Sequence, residues 1–435
     1  MKTKLKDSTS LNTANPDITS NTIRAIKRED FVNAFILLVL AFVIVLRAPV
    51  LLTNPSFFSE EGLAYFKYAY ENSFIKSLFV VQPDRGYFEI FTNVAMAMAS
   101  VVPLKYAPHV SATMAFCAQL IPLAVVLWGR SFFFDNYIKK IVTLLIIIFI
   151  ISTGQIWITA RHSQFFFLLV TFLILIADVQ GETKLKVWIY RLLVLTGGLA
   201  GVTSCYLTPV YVYRAVAGKC REYIIQAAIL IFTSLLQIAV ILHSYYTTGF
   251  SQRFNDNDFL KICLVYFVEY YLQPVFGYDL VLVILRNLIF VFPVAIFFVW
   301  MIYKSILDVN RRALVVGIIF SSIMLTLTSL DMTGGTRYMY APGVMLIVLV
   351  FSYVQFNKKT FLKVSSIAAF ALTVTALTTS MIEYKLRMKI YVNAKWPDWK
   401  AEVAIWEKDE NHPIKIWPQL DDYKPEIKLT RQKGK

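Results

Sequence analysis

Apolar runs of roughly 20 residues recur along most of this chain, and that length matches a helix crossing a hydrocarbon core of about 30 Å. They lie at 31–52, 86–104, 109–129, 141–158, 222–243, 279–303, 313–330, 338–356 and 361–382, with a short run ending at Ala177. Backbone in lipid must satisfy its own hydrogen bonds, so the pattern implies an all-α polytopic membrane protein of about 9 to 13 transmembrane helices. Composition agrees: with 57% hydrophobic and 16% charged residues, a soluble domain could not bury its apolar surface. The net charge of +15 does not indicate nucleic acid, because the cations sit in short loops between apolar runs. Cys117, Cys205, Cys220 and Cys263 lie within or beside apolar segments without metal-ligand spacing. Neither a disulfide nor a metal site is expected, and no cofactor is implied.

Residues 1–30 are rich in Ser, Thr and Asn and carry Lys2, Lys4, Lys6, Arg24, Lys27 and Arg28. The charged stretch is too long for a signal peptide, and the segment reads as a disordered cytoplasmic tail. A transmembrane domain covers 31–382, with a first outer loop at 53–85, and a polar segment at 383–435 closes the chain. In the first loop Leu63, Phe66, Tyr70, Phe74 and Leu78 recur at helical spacing, which predicts an amphipathic helix in the membrane interface. Glu60 and Glu61 would stand at its N-terminus, where the helix dipole favours carboxylates. The stretch 188–217, with Gly197-Gly198, Gly201 and Pro209, reads as a broken or hairpin pair of short helices.

Basic loops set the orientation. Those holding Arg130/Lys139/Lys140, Lys184/Lys186, Lys219/Arg221, Lys304/Arg311/Arg312 and Lys358/Lys359 are assigned to the cytoplasm. The first loop, 152–164, 245–260, 331–337 and the tail then face outward. Residues 86–129 conflict with this, since two apolar runs lie where an odd number of crossings is required. A re-entrant segment would repair the parity. The basic start of the tail at Lys385, Arg387 and Lys389 also votes for the cytoplasm, against the internal loops.

Each candidate site residue has a plain reading and a chemical one. Glu60 and Glu61 are either helix-start acids or a general base that deprotonates an acceptor hydroxyl. Asp84 and Arg85 are either a solvated pair or an acceptor contact and a phosphate clamp. Arg286 lies seven residues into the run that starts at Asp279, roughly 10 Å deep, where it either snorkels or binds a lipid phosphate. Arg337 beside Gly334-Gly335 is either a turn cation or a second phosphate contact. Arg161-His162 read as loop residues, and His162 has no metal-spaced partner. The tail tryptophans Trp396 and Trp399 either anchor by packing or offer aromatic faces on which a ligand stacks.

The run Ser59-Glu60-Glu61-Gly62 with Tyr65-Phe66, followed by Arg85-Gly86-Tyr87, resembles a family of bacterial polytopic proteins with an acidic E-D-G motif in the first loop and a following G-Y. The layout is similar to the GT-C glycosyltransferase fold, and to the serotype-converting O-antigen glucosyltransferases of enteric bacteria in particular. The tail run Trp396-Pro397-Asp398-Trp399, with Ile416-Trp417-Pro418, also resembles the tails of such proteins. Here Glu61 stands where the family has Asp. The resemblance implies transfer of a sugar, glucose by analogy, from an undecaprenyl-phosphate donor to an O-antigen or related lipid-linked glycan. It places the chain in the bacterial inner membrane, among membrane lipids, with a cytoplasmic N-terminus and a periplasmic tail. Glu61 becomes the favoured base, Arg85, Arg286 and Arg337 the donor phosphate contacts, and Asp84, Tyr87, Trp396 and Trp399 the acceptor or sugar contacts. Two other functions compete. A flippase for lipid-linked sugars should carry inverted repeats, which this sequence lacks. An O-antigen polymerase or ligase would rely on outer-face arginines rather than first-loop acids.

Overall fold

The computed structural model of the protein describes residues 16–82, 86–150, 156–248, 263, 266–286, 288–328, 337–355, 363–393, 396–419 and 423–430. These are overwhelmingly helical, and the sheet among them is a single hairpin, β1 (Ile414–Lys415) against β2 (Glu426–Ile427). The main helices are α1 (Pro16–Arg47), α2 (Ile90–Ser100), α3 (Ala107–Trp128), α4 (Tyr137–Phe149), α5 (Ser163–Leu175) and α6 (Lys184–Leu199). They continue as α7 (Thr208–Gly218), α8 (Arg221–Thr248), α9 (Gln273–Arg286), α10 (Leu288–Leu307), α11 (Val309–Thr328), α12 (Tyr340–Phe351), α13 (Val364–Asn393) and α14 (Trp399–Trp406). Among the described residues, five helices are long and apolar enough to cross a membrane, within α1, α3, α8, α11 and α13. The chain is therefore an all-α, multi-pass membrane protein by the length and composition of its helices.

Burial sorts the helices into two layers. On α1, Leu40, Ile44 and Ala48 face the protein, while Phe31, Phe35, Leu38 and Phe42 form an exposed stripe at helical spacing. Such a stripe on a helix long enough to span suits an apolar surrounding such as lipid. Helices α5 and α12 are the opposite case: every residue of both is buried. They are apolar all round because they pack against each other and against other helices, α3 and α6 for α5 and α13 for α12.

The hairpin expected at 188–217 is present: α6 and the segment Thr203–Gly218 meet at 114°. Gly201 supplies the bend with φ +139°, a conformation L side chains rarely adopt. Gly198 supplies the close approach, since a Cβ there would lie 2.1 Å from Thr233 Oγ1 on α8.

The basic loops gather at one end of the bundle. Lys140 Nζ donates to Leu127 O (2.9 Å), Lys186 Nζ to Trp128 O (3.0 Å), and Arg312 Nη1 to Tyr213 OH (3.1 Å). Arg311 lies over the Phe132 ring and donates to Ser352 O (2.9 Å). Lys358 and Lys359 fall outside the described residues. The start of α1 belongs to this end, through Trp128 Nε1 donating to Asp30 Oδ1 at 3.1 Å. Its other terminus reaches the opposite end, where Arg47 Nε donates to Tyr384 O (2.8 Å) and the first loop meets the tail.

The parity conflict is resolved by α2. Glu89, just before it, bonds Arg161 at the first-loop end, and Leu104, just after it, accepts from Trp399 Nε1 of the tail. Both flanks of α2 thus sit at one end, and its 11 residues span only about 16 Å. Helix α3 alone makes the crossing.

One expectation is corrected. The first loop has no continuous amphipathic helix: a π-type segment (Glu61–Phe66) runs into Lys67–Glu71, and the chain then turns extended at Asn72 before Phe74–Leu78. Asn72 ends the helix by donating its side-chain amide to Tyr68 O (3.0 Å). Phe66 is buried against Trp399 of the tail and Tyr65 is buried beside Arg161, rather than facing lipid, and the exposed apolar residues are Leu63, Phe74, Ile75 and Phe79. The expected span at 279–303 falls on α9 and α10, and residue 287 between them lies outside the described residues.

Candidate functional site

The first loop is held by the tail through a short parallel bridge. Trp417 N donates to Phe57 O (3.0 Å) and Ser59 N to Trp417 O (2.6 Å). Ser59 adopts φ 29°, in the left-handed region, at a cost on the order of 1 kcal/mol. The bridge and a 2.5 Å hydrogen bond between Ser59 Oγ and Tyr423 OH hold it there. This reversal starts the helical turn on which Glu60 and Glu61 stand in different surroundings.

Glu61 is buried, with 3% of its surface exposed. Its Oε2 accepts from Phe58 N (3.2 Å), and its Oε1 accepts from Ala160 N (3.2 Å) and from Ser111 Oγ. One carboxylate thus ties the first loop, α3 and the 156–162 turn together. Burial pushes its pKa above the ordinary carboxylate value, against the pull of those donors and of Arg161. The adjoining cavity, between Ser56, Pro108, Thr159 and Trp417, measures about 10 Å³, room for at most one water.

Glu60 stands at the open edge, its side chain 31% exposed. Arg161 Nε donates to Glu60 Oε2 at 2.9 Å, and Arg161 Nη1 donates to Glu89 Oε1 at 2.5 Å. The Tyr87 hydroxyl lies 3.4 Å from both terminal nitrogens, and the Tyr65 ring 5.6 Å from the guanidinium carbon. Arg161 is only 7% exposed and Glu89 is fully buried, so this is a desolvated guanidinium shared by two carboxylates.

The remaining sequence candidates divide. Tyr87 belongs to this cluster. Arg337 lies at the same end: its guanidinium sits 5.1 Å from the Tyr338 ring, Tyr338 meets Phe165 edge-on, and Phe165 stacks on His162. Trp396 and Trp399 are occupied in packing. Trp396 donates to Asn54 O (2.8 Å) and leans on Trp417, while Trp399 is buried edge-on against Phe57 and Phe66. Asp84 and Arg85 lie outside the described residues, as does the side chain of Arg286. Among the described residues no group of three or more His, Cys, Asp or Glu is placed to hold a metal ion.

Sequence reasoning passed over the two residues that organise the site. Arg161 reads as a loop cation, yet it stands four residues before the apolar run that begins at Phe165, where a charge needs a partner. Glu89 follows Gly86-Tyr87 and opens α2, an acid at the edge of an apolar segment. Compared with family models, curated proteins and solved structures, the chain matches none of them.

Proposed function

We propose that this protein is a membrane glycosyltransferase of GT-C type, which moves a hexose from a polyprenyl-phosphate donor to a lipid-linked glycan. The reading assigns the basic end to the cytoplasm and the first-loop end to the periplasm. It counts the bent α6–α7 pair and the shorter apolar helices α5, α10 and α12 as spanning elements beside the five long helices, toward the roughly 9 to 13 expected from the sequence. The observation that carries the reading is the pairing of a part-exposed carboxylate, Glu60, with the buried cation Arg161 beneath the tail. Inverting transfer needs a base at the acceptor hydroxyl and a positive group near the departing phosphate.

Glu60 is the better base of the two acids. Glu61 has the motif position, but its oxygens are engaged by three donors and its cavity admits no hydroxyl-bearing substrate. Glu61 is then a positioning residue that fixes the turn. Arg161, with Arg337 nearby, supplies the positive potential for the phosphate. The test is transfer of labelled sugar from a polyprenyl-phosphate donor by purified variants in liposomes. Glu60→Gln should lower turnover by roughly 100- to 10,000-fold with donor binding retained. Wild-type turnover in Glu60→Gln overturns the assignment.

The polymerase or ligase reading draws on one observation, that an arginine and not an acid is the hub of the cluster. It requires activity to survive Glu60→Gln and to vanish in Arg161→Lys, which keeps the charge and loses the fork.

A further inference from the structure

At the end of the bundle away from the first loop lies a cavity of about 410 Å³ that the proposed transfer does not use. Its walls come from segments distant in sequence: Phe132 after α3, Leu175 at the end of α5, Tyr213 and Arg214 on α7, and Val309 and Asn310 at the start of α11. The lining is divided by chemistry, with Arg214, Asn310 and Asp178 on the polar side and Phe132, Leu175 and Val309 on the apolar side.

Arg214 is fixed rather than mobile. Its Nη1 donates to Ile174 O (3.0 Å), its Nη2 donates to Ala177 O, and its guanidinium lies 3.8 Å from the centre of the Tyr223 ring. A guanidinium has five N–H groups, so two bonds to carbonyls leave it donors for an anion. Two further arginines stand at the rim, Arg311 over Phe132 and Arg312 on Tyr213 OH. Asp308 at the rim is paired with Arg311, and the lining carboxylate Asp178 accepts from Gln180 N (3.0 Å), so three arginines stand against two acids around the cavity. The rim residues Phe132, Tyr213 and Val309 are exposed at the surface, where the cation-lined end of the bundle meets its apolar belt.

A cavity with a fixed cation inside and exposed apolar side chains at its mouth, at the bilayer boundary, fits an amphiphile with a negative head. We propose that it binds the phosphate head group of an anionic phospholipid. The phosphate oxygens meet Arg214 and Asn310, and the acyl chains leave over Val309 and Phe132 into the bilayer. The site is separate from the Glu60–Arg161 cluster and does not depend on what that cluster does.

The experiment is native mass spectrometry of the full-length protein in neutral detergent, with phosphatidylglycerol and phosphatidylcholine added in equal amounts. Wild type should retain one phosphatidylglycerol with roughly tenfold preference, the scale of one charge-assisted contact. Arg214→Gln should abolish the preference. Ala217 also lines the cavity, and Ala217→Trp fills it while leaving the carbonyl contacts of Arg214 in place, so it decides the matter if Arg214→Gln does not fold, and it should lose the lipid. Equal retention of the two lipids by wild type, or an unchanged preference in a folded variant, overturns the proposal. Displacement of the lipid by inorganic phosphate alone also overturns it, because the pocket would then take a soluble anion.

Discussion

Arg161 Nε donates to Glu60 Oε2 at 2.9 Å across a separation of 101 residues, and its Nη1 is bonded to the buried Glu89. This pair joins the first loop to the start of α5, and the third carboxylate, Glu61, bonds the neighbouring Ala160 N. Local order at this end of the bundle therefore depends on one guanidinium. Arg161→Ala would leave Glu89 as an uncompensated buried charge, which costs roughly 3–5 kcal/mol. Arg161→Ala combined with Glu89→Gln should recover a large part of that loss. Thermal unfolding of the four members of this cycle in detergent measures it, and simple additivity of the two changes would show that the residues are not coupled.

Glu61 should make stability fall as pH rises. Its folded-state pKa is raised, chiefly by burial. Below the ordinary carboxylate value it is protonated in both folded and unfolded chains, and its contribution is fully present. Between that value and the raised one, the unfolded chain ionises first and stability declines, until the folded carboxyl has also lost its proton. Glu61→Gln should remove this slope, and should cost about 1–3 kcal/mol where its amide N–H₂ meets a backbone donor in place of an acceptor. Melting temperatures of wild type and Glu61→Gln between about pH 4 and 8 provide the comparison. Identical pH slopes for the two proteins would show that Glu61 titrates alike folded and unfolded.

The tail is a part of the folded site and not an appendage. Trp399 is buried against Phe57 and Phe66, and its Nε1 donates to Leu104 O. Trp399→Ala should cost about 3–5 kcal/mol by the cavity it leaves. The damage should be local, so protease should cut within 53–82 while α5 and α12 stay protected. Cutting restricted to the tail in the variant would show that the first loop stands without it.

The grouping of the loops at two ends could be read from the sequence, because each basic loop carries its own charge signal. Likewise, the elbow at Gly201 was marked by glycines that only a bend or a close approach requires. The site was half legible. Glu60 and Glu61 stood out as acids beside a span, but no local rule ranks two adjacent carboxylates. Their ranking depends on Ser111, Ala160 and Arg161, which are distant in sequence. The first-loop stripe misled for the same reason. Leu63, Phe66 and Phe74 show helical spacing whether they meet lipid or protein, and the tail that covers Phe66 begins more than 300 residues later.

Helix α2 provides the sharpest test of the topology. A run at 86–104 that is apolar enough to suggest a span should, in this fold, leave both flanks at the first-loop end. Asn93 explains why it stays there: its amide nitrogen donates to Leu78 O (3.1 Å) and Val80 O (2.8 Å), which fastens α2 to the first loop. Cysteines introduced for Lys76 and Lys105, in a background without the native four, should react with a membrane-impermeant maleimide from the same side. A cysteine for Lys139 should react only from the other. Modification of the positions 76 and 105 from opposite faces would make α2 a crossing helix and restore the conflict with the basic loops. Modification of all three from one side would remove α3 as the crossing, and with it the separation of the two ends.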